Sequence, residues 1–182
     1  MLIPFGVFSA GAGGGAAAGS YELISTVAGT GSSPTITFSS LPAGYKHLQI
    51  RATSRSDSGS YPHAFIRFNS DSGSNYARHY LFGDGGSVSS GGSSSSTGGY
   101  AVEVAGNDKS ANLYGASVVD IVDAFSATKN KTVRSFAGYT TGGIFLYSGA
   151  WFNTSAITSI TLNLSAGNFT TASRFSLYGI KG

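Results

Sequence analysis

Residues 46–54 read "KHLQIRATS", and their alternation decides the fold. Leu48, Ile50 and Ala52 fall on one side of an extended chain and His47, Gln49 and Arg51 on the other. A period of two is the mark of a strand with one dry face and one wet face. The same pattern recurs near "TITFSS" (35–40), "HAFIRFN" (63–69), "ARHYLFG" (77–83), "YAVEVAG" (100–106), "NLYGASVVDIV" (112–122), "KTVRSFAGYT" (131–140), "GIFLYSGAWF" (143–152), "AITSITLNL" (156–164) and "RFSLYGIK" (174–181). Each stretch is short, rich in β-branched and aromatic residues, and bounded by Gly, Asn, Asp, Ser or Pro. Many short strands at regular spacing predict an all-β chain: an antiparallel two-sheet β-sandwich, jelly-roll-like, with an extended N-terminal arm. The stretch "ASVVDIVDAFSATKN" (116–130) offers apolar residues that a helix could also use, but its β-branched run is stiff at χ1 and favours a strand.

Three regions differ in composition. Residues 1–20 are apolar and Gly/Ala-rich without one charged side chain, residues 21–182 carry the strand pattern, and within them "GDGGSVSSGGSSSSTGG" (83–99) predicts a flexible Gly/Ser loop. The length of 182 residues suits one domain with a tail. Cysteine is absent, so stability has to come from packing and hydrogen bonds. Only 10% of residues are charged, far below the roughly one-quarter share usual for soluble domains, which points to a chain packed into something larger. The net charge of +3 is scattered from Lys46 to Lys181 with no run of three basic residues, so the clustered stripe that nucleic acid requires is missing.

Motifs for chemistry do not assemble. In "NSDSGSNY" (69–76), Asn69, Asp71 and Asn75 alternate beside Gly73, but the twelfth position of a calcium loop begun at Asn69 is Tyr80 where a bidentate Glu is needed; the string reads as hairpin-turn chemistry joining the flanking strands. His47, His63 and His79 show no metal-ligand spacing, and Asp120 and Asp123 fall on opposite sides of a strand. No Ser occupies a nucleophile elbow and no Gly cluster completes a phosphate loop. The expectation is no catalytic residue, no cofactor and no metal. Aromatic residues are abundant, with Tyr61, Tyr76, Tyr80, Tyr139, Tyr147 and Trp151 available to stack on sugars or fill an interface. "IFLYSGAWF" has apolar side chains on both faces, making Phe145, Tyr147 and Trp151 candidates for an oligomer interface.

The stretches "YKHLQIRATSRS" (45–56), "RFNSDSGSNYARHYLFGDG" (67–85), "KNKTVRSFAGY" (129–139) and "SGAWFNTSAITSITLNLSAGNFTTASRFSLYGIKG" (148–182) resemble small virion structural proteins of tailed bacteriophages, especially those of aquatic bacteria. The likeness runs from about residue 45 to residue 182, with 83–99 the least familiar part. It implies a β-sandwich located in the virion, a homo-oligomer with a trimer favoured, and no catalytic residues to transfer. A non-enzymatic virion protein forming a fibre, spike or adhesin-like surface is the leading expectation; a capsid decoration protein and a carbohydrate-binding module that takes a host surface glycan are the alternatives.

The opening "MLIPFGVFSAGAGGGAAAGS" (1–20) fits this expectation as an anchor. It lacks the basic start of a signal peptide, and Pro4 with its many glycines breaks the helix that a membrane span needs. Leu2, Ile3, Phe5, Val7 and Phe8 are expected to bury against other virion proteins, with the Gly/Ala stretch as tether.

Overall fold

The computed structural model describes residues 20–59 and 61–182; the anchor residues Leu2, Ile3, Phe5, Val7 and Phe8 lie outside the described residues. In chain order the strands are β1 (Tyr21–Ala28), β2 (Thr35–Phe38), β3 (His47–Ser54), β4 (His63–Phe68), β5 (Tyr76–Gly83) and β6 (Val88–Ser96). They continue with β7 (Gly99–Glu103), β8 (Gly115–Val122), β9 (Lys131–Tyr139), β10 (Gly143–Trp151), β11 (Ile160–Leu164) and β12 (Arg174–Ile180). No helix occurs among the described residues.

Two antiparallel sheets face each other. The small sheet runs β2-β11-β4-β7 and the large one β1-β12-β3-β8-β9-β10-β5-β6. The first four strands of the large sheet, set over the small sheet, have the interleaved order of an eight-stranded jelly roll. The remaining four are two insertions: β5 and β6 follow β4 in sequence, β9 and β10 follow β8, and together they extend the large sheet beyond the β8 edge of the jelly roll.

The core lies between the sheets and is built by the alternation already visible in "KHLQIRATS". Leu48, Ile50 and Ala52 point inward, and their neighbours across the ladder, Leu177, Phe175, Val119 and Ile121, do the same. The small sheet answers with Ile36, Phe38, Ile66, Phe68, Ile160 and Leu162, all buried. Burying each of these side chains stabilises the fold by about 1.5–3 kcal/mol.

Strand β7 ends the small sheet, and its free backbone edge would be costly if left dry and unpaired. Three buried serines of the large sheet satisfy it. Ser54 Oγ donates to the Glu103 carbonyl at 3.2 Å, Ser117 Oγ accepts from the Glu103 N–H at 3.1 Å, and Ser135 Oγ donates to the Ala101 carbonyl at 2.6 Å. The approach is close enough that a Cβ on Gly115 would stand 2.3 Å from the Glu103 carbonyl oxygen.

Two sequence expectations are corrected. The Gly/Ser tract at 83–99 is not a flexible loop: residues 88–96 form β6, paired to β5 from Gly83–Val88 to Tyr76–Ser96. A ladder needs only backbone groups, and the glycines fit because side chains of β5 cover them. A Cβ on Gly91 would meet the Tyr80 ring at 2.7 Å, and one on Gly92 the His79 ring at 2.3 Å. Likewise, "SDSGSN" does not close a hairpin, since β4 belongs to the small sheet and β5 to the large one. The segment crosses between sheets around Asp71, whose carboxylate accepts from the Gly73 N–H, the Asn75 amide and the Trp151 indole. The stretch 116–122 is a strand, as its β-branched run predicts.

Candidate functional site

The inserted hairpins extend the large sheet further than the small sheet can cover. Beyond β7 the inner face of β10 and β5 is left open, and a cleft of about 700 Å³ forms there, within the range of small-ligand sites. Its floor comes from inward-pointing residues of the insertions, Tyr80 and Phe82 on β5 with Phe145 and Tyr147 on β10; Tyr100 on β7 and His63 on β4 complete the wall.

These rings form one continuous surface. Phe82 lies 4.6 Å from Phe145 between centroids, Phe145 lies 5.7 Å from Tyr147, and Tyr147 stacks on Tyr100 at 5.3 Å. Tyr80 meets Tyr100 edge-on at 6.0 Å, and His63 does so at 5.4 Å. Behind Tyr100, Phe65 stacks on the same ring, and the Arg78 guanidinium sits 4.5 Å from the Tyr100 centroid and 4.8 Å from that of Phe65. A cation over a ring face adds attraction where water is excluded, so Arg78 holds the wall in place.

Glu103 is the chemical centre of the cleft. It is 2% exposed, and its Oε2 accepts a 2.6 Å hydrogen bond from the Tyr147 hydroxyl. Burial pushes its carboxyl up to about 8, with the Tyr147 bond pulling the other way, so the group is neutral at pH 7. Burial, and then the Glu103 carboxylate once it forms at higher pH, raise the Tyr147 hydroxyl well above its ordinary range. Burial also lowers the His63 imidazole, leaving it neutral as well. Asp84 at the rim behaves differently. Its carboxyl is held below the usual range by the Ser87 and Gly86 N–H groups and the Ser87 hydroxyl. Those bonds occupy Oδ1 three times and Oδ2 once, closing the turn from β5 to β6.

Such a cleft can do two things: offer aromatic faces to C–H groups, and exchange hydrogen bonds with ligand hydroxyls through Glu103 and His63. Tyr139, at the end of β9, does not line the cleft, and its buried hydroxyl has no partner among the described residues.

Of the three residues expected at an oligomer interface, Phe145 and Tyr147 meet in the cleft, while Trp151 lies at the far end of β10 in the core. Trp151 is 5.5 Å from Phe68 and stacks on Tyr76 at 6.4 Å. All three point inward; the exposed apolar side chains of β10 are the alternate ones, Ile144 and Leu146. The three histidines remain apart. His47 Nδ1 accepts from the Asp123 N–H at 2.9 Å, His79 is exposed on the outer face, and only His63 reaches the cleft. Among the described residues no group of three His, Asp or Glu is placed to hold a metal ion.

Sequence reading missed Glu103, Tyr100 and Phe82. Glu103 carried a signal, since in "YAVEVAG" its same-face neighbours Ala101 and Ala105 are apolar as well as Val102 and Val104 on the other face. Tyr100 and Phe82 carried none, because only the insertion of the hairpins brings them together. No known protein family, curated protein or solved structure matches the chain, and the cleft has to be interpreted from its own geometry.

Proposed function

We propose that this chain is a non-enzymatic structural component of a bacteriophage virion, displayed as a fibre-, spike- or adhesin-like surface element, and that its cleft binds a neutral glycan of the host surface. The observation that carries the binding role is the unbroken aromatic surface from Phe82 to Tyr100 beside a protonated Glu103. Sugar rings present C–H faces that pack on aromatic π-faces, and hydroxyls that exchange hydrogen bonds with a neutral carboxyl acting as donor and acceptor. The neutrality of Glu103 and His63 favours an uncharged sugar over an acidic one.

A non-enzymatic role agrees with the state of the two carboxyls. Most glycoside hydrolysis uses an acid and a second carboxylate flanking the bond. Glu103 has the raised pKa of an acid, but the Asp84 oxygens are occupied in their own turn. The virion placement is supported by the low charge, the jelly-roll sandwich and the resemblance of residues 45–182 to phage structural proteins.

The test is a glycan array on the full chain, followed by calorimetry with any hit on wild type, Tyr100→Ala and Tyr80→Ala. Binding weakened about tenfold or more by each substitution is expected, with an unchanged far-ultraviolet spectrum establishing that each variant folds. A uniformly negative array removes the glycan role, and release of reducing ends from the bound oligosaccharide removes the non-enzymatic one. Imaging of purified particles with the chain located in them tests the virion placement separately.

A further inference from the structure

We propose that a second copy of this chain packs, two-fold, on the outer face of the large sheet, over the row Leu81, Leu146, Phe136 and Val118. Register sets these four side by side: Leu146 pairs with Leu81 on one neighbouring strand and with Phe136 on the other, and Phe136 pairs with Val118. In the next row Ile144 lies between Gly83 and Gly138, with Ala116 beyond and Val88 paired to Gly83. Six of the ten large hydrophobic side chains exposed among the described residues belong to these two rows, from Val118 at 39% to Val88 at 76%. The residues between them are glycine, alanine and serine, so Val118, Phe136 and Ile144 stand around a shallow hollow at Ala116 and Gly138 that side chains of a facing sheet can fill.

No charged side chain occurs in either row from β8 to β6. The row on the other side of Phe136 holds Arg134 facing Asp120, 3.8 Å apart between Nη2 and Oδ2. A two-fold contact demands a patch that complements itself. This one does: the uncharged rows from β8 to β6 meet one another, Arg134 and Asp120 at their margin offer opposite charges to the other copy, and the exposed Arg51, paired to Val118 on β3, bounds the row. The six side chains expose on the order of 500 Å², near the upper end of what a monomer leaves in water. A standard interface takes roughly 800 Å² per partner, and the Arg134–Asp120 row supplies the polar rim that makes up the difference.

The cleft opens on the opposite side of β10 and β5, so this contact leaves it free. Two clefts held in one particle would gain avidity from simultaneous engagement. The proposal does not depend on the glycan reading, and it differs from the trimer that the family resemblance implies.

Sedimentation velocity on the full chain tests it, with Phe136→Asp, Leu146→Asp, Arg134→Asp and the double variant Arg134→Asp with Asp120→Arg. Phe136, Leu146 and Arg134 are exposed, Asp120 is half-buried and accepts from the Gln49 amide, and an unchanged far-ultraviolet spectrum establishes that each variant folds. A wild-type dimer, weakened about a hundredfold by either apolar-to-Asp change and partly restored in the double variant relative to Arg134→Asp, is expected. A monomeric wild type, a trimer, an oligomer indifferent to Phe136→Asp and Leu146→Asp, or one lost only on removal of residues 1–19 overturns it.

Discussion

The Tyr147 hydroxyl donates to Glu103 Oε2 at 2.6 Å, and this bond ties the edge strand of the small sheet to a hairpin inserted after β8. It stands where the jelly roll ends and the added strands begin. The backbone of Glu103 is fixed on both sides, its N–H by Ser117 and its carbonyl by Ser54, and the Tyr147 hydroxyl holds the carboxyl in its buried position. A carboxyl trapped in this way stays neutral near pH 7.

Stability should therefore fall as pH rises. The Glu103 carboxyl is raised from 4.5 to about 8 in the folded chain, so between those values the folded state holds more protons than the unfolded one. Its contribution is fully present below about pH 4.5 and is lost as pH climbs through 8, with a slope of at most about 1.4 kcal/mol per pH unit from this group. Denaturant titrations at pH 5, 7 and 9 measure it. Glu103→Gln, which keeps the acceptor for Tyr147, should flatten the profile; parallel profiles for the two proteins would show that burial does not hold the carboxyl neutral.

The serine bonds to β7 give a second prediction. Ser135→Ala leaves the Ala101 carbonyl buried without its donor and should cost about 1–3 kcal/mol. The loss should be concentrated at the edge strand, so amide exchange in Tyr100–Glu103 should accelerate more than exchange in Leu48–Ala52. Uniform acceleration would mean that β7 opens only with the whole sandwich.

How much of this was legible follows from where side-chain periodicity carries information. In "KHLQIRATS" and "KTVRSFAGYT" the dry face repeats every second residue, and both are strands with that face buried. In "VSSGGSSSS" there is no period to read, because its pairing is backbone alone and its shape is determined by Tyr80 and His79 on the neighbouring strand. The "YELISTVA" edge strand was likewise not singled out; its ladder to β12 is broken by an irregularity between Leu23 and Ser25. Glu103 shows the same limit at the site. That it has apolar neighbours is local information, while its meeting with Tyr147, 44 residues away, depends on where the insertion lies in the sheet.

Gly115 provides a test of sheet spacing. Its lack of a side chain lets the Glu103 carbonyl approach, and a methyl group there would meet backbone atoms, not a side chain that could turn aside. Gly115→Ala should destabilise by about 1–3 kcal/mol or more and push β7 outward, disturbing the cleft wall at Tyr100. Retained stability together with retained Tyr100–Tyr147 contacts in a structure of the variant would show that the sheets can separate at no cost.

Asp71 and Trp151 give the acid counterpart of the Glu103 prediction. The indole N–H donates to Asp71 Oδ2 at 2.7 Å, and this bond, followed by those from the Asn75 amide and the Gly73 N–H, holds the carboxyl below its usual range. A depressed folded value has the opposite sign from that of Glu103: the stabilisation is present above the unfolded value near 3.8 and disappears as pH falls through the folded one. Trp151 is the only tryptophan of the chain, so its fluorescence reports this contact alone. On acidification the emission should shift in step with loss of stability below about pH 4. In Asp71→Ala, where the buried indole has lost its acceptor, the protein should be less stable by about 1–3 kcal/mol at pH 7 and the low-pH step should be absent. An unchanged acid transition in that variant would place its origin in another carboxylate, with Asp57 the next to examine because the Asn168 backbone and side-chain amides hold it low in the same way.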